Sequence, residues 1–286
     1  MENIYGIEYS KPEVILMQDT GIGTAEFAGR TAYDSFENSE NPSIKELNKR
    51  LSKPDYTVIQ EDLDKINNIE GSDLLYDLAH TYFHHSVLEH ANLTFLIKGT
   101  SRGVLQELAR HRIASYTVRS TRYTMSSIIN AFVASTKFTL GINYFTDKLL
   151  SFDMFVTQDK EYNKCEIEGI YLKLQYQLRV LGKEEFFKIA VAKSSLEYLE
   201  YGSAADIFTA LENGKKKRNV GDFSKHVVTD NWKVDLVMTM NVRSLKNFFT
   251  LRDSGAAYFQ IRFLAQEMKK STPEKYMRLI TPRTIK

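Results

Sequence analysis

Cysteine and proline are scarce in this chain of 286 residues. The single cysteine, Cys165, can form no intrachain disulfide and cannot build a cysteine-based zinc site. Because the third of the five prolines is Pro54 and the fourth is Pro273, residues 55–272 can hold long uninterrupted helices. The N-terminus lacks the basic and apolar regions of a signal peptide, and no apolar run approaches the ~20 residues of a membrane-spanning helix. We therefore expect a soluble cytoplasmic protein that makes no membrane contact.

An excess of charge of either sign is also lacking, since 38 Lys and Arg residues balance 36 Asp and Glu residues to give a net charge of +2. The balance hides a basic segment, residues 91–137, in which seven cations face one acid, Glu107. Five of the seven cations are arginines, which bind phosphate bidentately. The segment therefore indicates recognition of small phosphates. The alternative is that the arginines pair with the acid-rich stretch 55–77. A long nucleic acid is disfavoured because the excess is confined to one segment.

Hydrophobic periodicity predicts long helices with few strands, which indicates the α+β class. Residues 1–70 look irregular apart from a short helix, and residues 140–213 contain several helical patterns. Strands are predicted at 93–97 and 234–240, and helices at 25–33, 72–83, 101–112, from 242 onward and at 254–270.

Four of the six histidines fall within eleven residues: His80, His84, His85 and His90. On the predicted helix, His80 and His84 stand at i, i+4 spacing, which can present two imidazoles to a metal. No cysteine is near them. We therefore expect ring stacking or hydrogen bonding at a ligand pocket, and no metal site.

Three segments taken together resemble the flavin-dependent thymidylate synthases. The family signature, Arg-His-Arg followed by seven residues and Ser, corresponds to Arg110-His111-Arg112 and Ser120. Upstream, HHSVLEH (84–90) is similar to the family's His-x-Ser/Thr-x-x-Glu-His segment. Downstream, NVRSLKNFFTLR (241–252) is similar to its Asn-Ala-Arg-Ser-Leu-x-x-Phe-x-x-Leu-Arg helix.

This resemblance implies reductive methylation of dUMP to dTMP, with FAD as cofactor and with NADPH and methylenetetrahydrofolate as co-substrates. It also implies an antiparallel sheet flanked by long helices, and a homotetramer with shared active sites. We expect one domain over residues 1–286, with a helical insertion at about 140–213. The sole cysteine has no activating neighbour, so we expect no covalent cysteine catalysis.

The resemblance also assigns residues. It gives the catalytic candidates as Arg252, Ser120 and His84, with Arg252 facing the uracil and stabilising negative charge there. The FAD-binding candidates are Ser86, Glu89, Arg110, His111, Arg112, Ile113, Val118, Asn241, Arg243 and Asn247. The dUMP-binding candidates are Glu107, Arg110, Val118, Arg119, Ser120, Thr121, Arg122, Lys225 and Arg252.

Four positions depart from the family pattern. Val118 stands where the family usually has Glu or Gln, and Glu107 replaces a glutamine that contacts the nucleotide. Lys225 replaces an arginine and so lacks its planar fork, while Ala256 replaces a frequent histidine. These departures keep open a second hypothesis, a non-catalytic homologue that binds flavin or nucleotide. A nucleic-acid-binding module is the third.

Overall fold

The structure, a computed structural model, describes residues 1–121, 126–184 and 225–282. The chain divides into two compact units. As far as these ranges describe them, the first unit comprises Met1–Lys11, Gly99–Gly103 and Val118–Val234, and the second comprises Pro12–Lys98, Val104–Thr117 and Asp235–Lys286. The second unit carries most of the predicted site residues.

Four strands form one sheet in the order β3-β4-β6-β5. The strands of the described residues are β1 Glu2–Ile4, β2 Ile7–Tyr9, β3 Glu13–Asp19, β4 Asn92–Ser101, β5 Ser115–Val118 and β6 Lys233–Asn241. β3 and β4 are antiparallel, with Glu13 opposite Lys98 and Asp19 opposite Leu93. Along β6 buried and half-buried residues alternate, as the sequence predicts.

Among the described residues helices outnumber strands, and the predicted α+β class is confirmed. They are α1 Gly23–Tyr33, α2 Pro42–Leu51, α3 Gln60–Asn67, α4 Asp73–His80, α5 Val104–Leu108, α6 Ser126–Lys137, α7 Gly141–Leu150, α8 Lys160–Leu181, α9 Val242–Arg252, α10 Phe259–Ser271 and α11 Glu274–Ile280. Short 3₁₀ turns lie at Phe36–Asn38, His85–His90 and Lys225–Val227. Among the described residues, every helix is too short or too polar to span a lipid bilayer.

The second unit is built around the sheet and α9. The turn His85–His90 packs against α1, α4 and α9, while α10 packs against β3, α5 and α9. Fully buried apolar side chains, among them Leu88, Phe95, Met238 and Phe248, fill its interior. Asn241 caps α9, since its side-chain oxygen accepts a hydrogen bond from Ser244 N at 2.8 Å. The predicted site segments are thus fixed on a packed core.

The expectation that the first 70 residues are mostly irregular is wrong. They hold three strands and three helices. β1 and β2 form a hairpin whose two turn residues, Tyr5 and Gly6, both have positive φ (53° and 85°). A two-residue hairpin turn of this kind usually has Asn-Gly or Asp-Gly. Because tyrosine stands in the first position here, the sequence does not predict the turn.

Three predicted helices are longer than the observed ones, and the one expected at 72–83 spans Asp73–His80. The helix expected at 101–112 spans only Val104–Leu108, because Ser101 is the last residue of β4 rather than a helix cap. The helix expected from Ser254 begins at Phe259, after a loop. The helix Val104–Leu108 also ends four residues earlier than expected, whereas the helix that begins at Phe259 ends at Ser271, one residue beyond the expected end.

In the first unit, α6, α7 and α8 pack together through the rings of Phe132, Phe145 and Tyr171, whose centroids lie 5.2–6.1 Å apart. Both α7 and α8 fall within the predicted insertion, whose boundaries stay a prediction. The second helical pattern predicted there lies, from residue 185 onward, outside the described residues.

Candidate functional site

Arg252, the last residue of α9, is held from two sides. Its Nη1 donates to Glu107 Oε2 at 2.7 Å and its Nη2 to Glu107 O at 3.3 Å. Its Nε donates to His111 Nε2 at 2.9 Å. The Arg252 side chain is only 14% exposed. The structure therefore brings together Glu107, His111 and Arg252, three residues predicted for the site.

His111 is buried, and the ring edge meets Phe248 with the centroids 5.0 Å apart. Burial lowers the pKa of His111, and the guanidinium of Arg252 lowers it further, while Glu107 opposes the shift. Because Nε2 accepts a hydrogen bond from Arg252, the imidazole is neutral with its proton on Nδ1. The signature histidine is thus an acceptor that orients Arg252.

Tyr116 stabilises the chain segment that carries the signature through two hydrogen bonds. Its hydroxyl donates to the carbonyl oxygens of Leu108 at 2.9 Å and His111 at 3.0 Å. Burial raises the pKa of Tyr116 to about 12, so it stays a donor. Neither Tyr116 nor Phe248 is predicted from the sequence, since only their contacts, and no motif chemistry, connect them with the site.

Three signature side chains point outward. Arg110 is exposed and its Nη1 lies 3.7 Å from Glu107 Oε1, so its partner is not in the acid-rich stretch 55–77. Arg112 and Ile113 are exposed, and among the described residues Arg112 has no polar partner. The pairing of arginines with residues 55–77 is therefore wrong for Arg110 and Arg112. Their guanidinium groups are available to an anionic ligand.

The segment HHSVLEH (84–90) contacts α9, and the two form a second cluster of predicted site residues. Arg243 forms an ion pair with Glu89, joining two residues predicted to bind FAD. The backbone N of Val242 also donates to Ala91 O at 2.9 Å, which ties the start of α9 to the end of this segment. Ser86 and Asn247 are exposed. The cluster therefore presents polar side chains to solvent on a rigid support.

His84 does not share a helix face with His80, so the i, i+4 prediction is wrong. α4 ends at His80, and Phe83 takes a positive φ of 57° that turns the chain back. His84 Nδ1 lies 2.5 Å from the Tyr33 hydroxyl, and the two rings are stacked. His80 Nε2 bonds instead to Arg278 O at 2.8 Å. Among the described residues, no three His, Cys, Asp or Glu side chains are grouped to hold a metal ion.

The remaining predicted residues belong to the first unit. Val118 ends β5 and is half-buried, Arg119 is exposed, and Ser120 and Thr121 are half-buried. Lys225 begins a 3₁₀ turn. Arg122 lies outside the described residues.

Comparisons with a family model and with related sequences identify the same family of proteins. The model of a family described as "Thymidylate synthase complementing protein" matches residues 14–276. A flavin-dependent thymidylate synthase of Wolinella succinogenes is 29% identical over 266 residues, which cover 92% of this chain and 94% of that protein. One from Helicobacter pylori (strain 26695) is 26% identical over 269 residues, covering 93% and 96%.

A solved structure has the same fold. It is thymidylate synthase X of Helicobacter pylori with FAD and dUMP, which superimposes with a TM-score of 0.57 over 94% of this chain and 97% of that one. At 24% sequence identity, the likeness establishes a shared fold.

Proposed function

This chain belongs to the thymidylate synthase complementing protein family, and from that premise we propose that it is an FAD-dependent thymidylate synthase that converts dUMP to dTMP. The observation that carries the proposal is the contact between the Arg-His-Arg signature and the end of α9, where His111 and Glu107 hold Arg252. A guanidinium fixed in this way stabilises negative charge without reorganising.

The described residues fit FAD. Its two phosphates need cationic donors, and Arg110 and Arg112 are exposed arginines, of which Arg112 has no partner among the described residues. Ser86, Arg243 and Asn247 add exposed polar groups in the same unit. When bound, FAD supplies the hydride chemistry that the side chains cannot. The protein's part is to bind and orient the cofactor.

Arg252 is the residue that we propose for activation of dUMP. Its charge lies at the end of a helix whose apolar face is buried, where it can stabilise negative charge on the uracil ring. His111 and Glu107 orient the guanidinium, and Tyr116 secures the segment that carries both of them. His84 and Ser120 remain proposed catalytic residues, on the evidence of the family resemblance.

We further propose that methylenetetrahydrofolate supplies the carbon and NADPH the reducing equivalents. Cys165 is exposed on α8 between Lys164 and Glu166, a setting without the activating base that a thiolate nucleophile needs. A route without covalent cysteine catalysis is therefore favoured. On the family resemblance we also propose a homotetramer with shared active sites and a cytoplasmic location.

The decisive experiment is an assay of dTMP formation by the purified protein with dUMP, FAD, NADPH and methylenetetrahydrofolate. Arg252→Ala should keep its flavin, measured by visible absorbance, and lose dTMP formation. The matched control is Arg179→Ala, which removes an exposed arginine of α8 and should retain both properties. Wild-type protein that binds FAD but makes no dTMP would instead be the non-catalytic homologue, and normal turnover by Arg252→Ala would refute the role of Arg252.

A further inference from the structure

A cavity of about 550 Å³ lies in the second unit, at the N-terminal ends of α2 and α4. Its lining includes Arg30 and Glu26 of α1, the helix caps Asn41 and Ser72, and none of the residues assigned above to flavin or nucleotide. It therefore needs an explanation of its own.

Arg30 is the unusual member of this lining, because it is only 8% exposed. Its Nε lies 3.4 Å from Glu26 Oε1. Among the described residues, neither of its two Nη atoms has a hydrogen-bond acceptor. Buried donors of a charged group are costly to leave without acceptors. The Nη atoms are not sealed inside protein, so their donors open into the cavity.

Glu26 fixes the orientation of this guanidinium. Its Oε1 accepts a hydrogen bond from Ser39 Oγ at 2.7 Å as well as the contact from Arg30, and Glu26 is only 3% exposed. The pair is electrically balanced, yet the planar fork of Arg30 remains free. Such a fork matches the two oxygens of a carboxylate or phosphate.

The remaining charges of the cavity select between these two anions. α2 and α4 direct the positive ends of their dipoles at it. At its rim, however, stand the exposed carboxylates Glu40 and Asp73, neither of which has a side-chain partner in the described part of the chain. Lys65, the other cation of the lining, pairs with Glu61 at 2.7 Å. A phosphate dianion would be repelled by this rim, whereas an ammonium group would be attracted.

We propose that the cavity binds a small zwitterion of the amino-acid class, with its carboxylate on Arg30 and its ammonium group toward the carboxylates of Glu40 and Asp73. The site is independent of the proposed thymidylate synthesis, because no residue of the flavin or nucleotide clusters takes part.

Titration calorimetry of the full chain with glycine, acetate and inorganic phosphate tests the proposal without flavin or nucleotide. Glycine should bind about tenfold more tightly than acetate, and phosphate most weakly, since opposite charges at the rim favour only the zwitterion. Tighter binding of phosphate than of glycine, or no heat with any of the three, would overturn the proposal.

Variants of residues that line the cavity test whether glycine binds there. Arg30→Lys keeps the charge but loses the fork, so it should weaken glycine binding about tenfold or more. Glu37→Gln is the matched control, because Glu37 is an exposed acid outside the cavity and its loss should change nothing. If Arg30→Lys does not fold, Gly71→Leu serves instead. A Cβ at Gly71 would meet only Arg278 Nη1, at 3.9 Å, so a side chain can be introduced there and should narrow the cavity. Unchanged glycine binding in either folded variant would refute the site.

Discussion

The contact between Arg252 and Glu107 can be measured as a coupling free energy. Arg252→Met retains length but removes the bond to the Glu107 carboxylate at 2.7 Å and two further bonds, to Glu107 O and His111 Nε2. A hydrogen bond to a charged group contributes about 1.5–3 kcal/mol and a neutral one about 0.5–1.5 kcal/mol. The pair is partly exposed, at 14% and 27%, which favours the low end. We therefore expect Arg252→Met to lower the free energy of unfolding by about 2–3 kcal/mol.

The assay is urea unfolding, monitored by circular dichroism, of the wild type, Arg252→Met, Glu107→Gln and the double variant. The free energies are compared only if the four proteins share the same m value. Glu107→Gln keeps an acceptor and loses only the charge, so it should cost about 1 kcal/mol alone. Since both changes remove the same interaction, the double variant should be about 1–2 kcal/mol more stable than additivity predicts. Arg179→Met, an exposed change on α8, should be neutral. Additivity within about 0.3 kcal/mol would show that the pair stabilises nothing.

Three further predictions concern the same unit. Because the pKa of His111 is lowered in the folded state, the unfolded state binds the proton at a higher pH than the folded state does. The free energy of unfolding should therefore fall as the pH drops through about 6.5 and level off below the folded pKa. Urea midpoints measured across this range should fall less in His111→Gln than in the wild type, and an equal fall would contradict this prediction. Tyr116→Phe leaves the carbonyl of His111 without this donor and should lower the free energy of unfolding by about 1 kcal/mol in the same assay; no change would mean that the hydroxyl does not secure the segment. Arg243→Ala breaks an ion pair with Glu89 that is exposed at 51% and 40%, so the flavin content after desalting should fall while the urea midpoint stays constant; full flavin retention would remove Arg243 from the FAD site.

Periodicity predicts β4, β6 and α9 because each has one buried face. β3 has no such signal. Its consecutive residues Val14, Ile15, Leu16 and Met17 are all apolar, yet two of them are exposed and two are half-buried, and a register shift follows Leu16. A strand with apolar residues on both faces and an irregular register does not alternate. The edge position of β3 in the sheet is a tertiary property, so the local pattern of residues 13–19 could not reveal it.

The site shows a similar division between local and long-range information. Three short motifs identify Arg110, His111 and Arg252 as site residues, because motif chemistry is local in sequence. The partner of Arg252 is not local, since Glu107 lies 145 residues away and meets it only when the end of α9 packs beside α5. Glu107 is also the one acid among residues 91–137. Its carboxylate pairs with the guanidinium of Arg252 at 2.7 Å and lies 3.7 Å from the exposed guanidinium of Arg110. Because the closer partner of Glu107 is the arginine of another helix, glutamate at this position still leaves Arg112, which has no polar partner among the described residues, available to a phosphate.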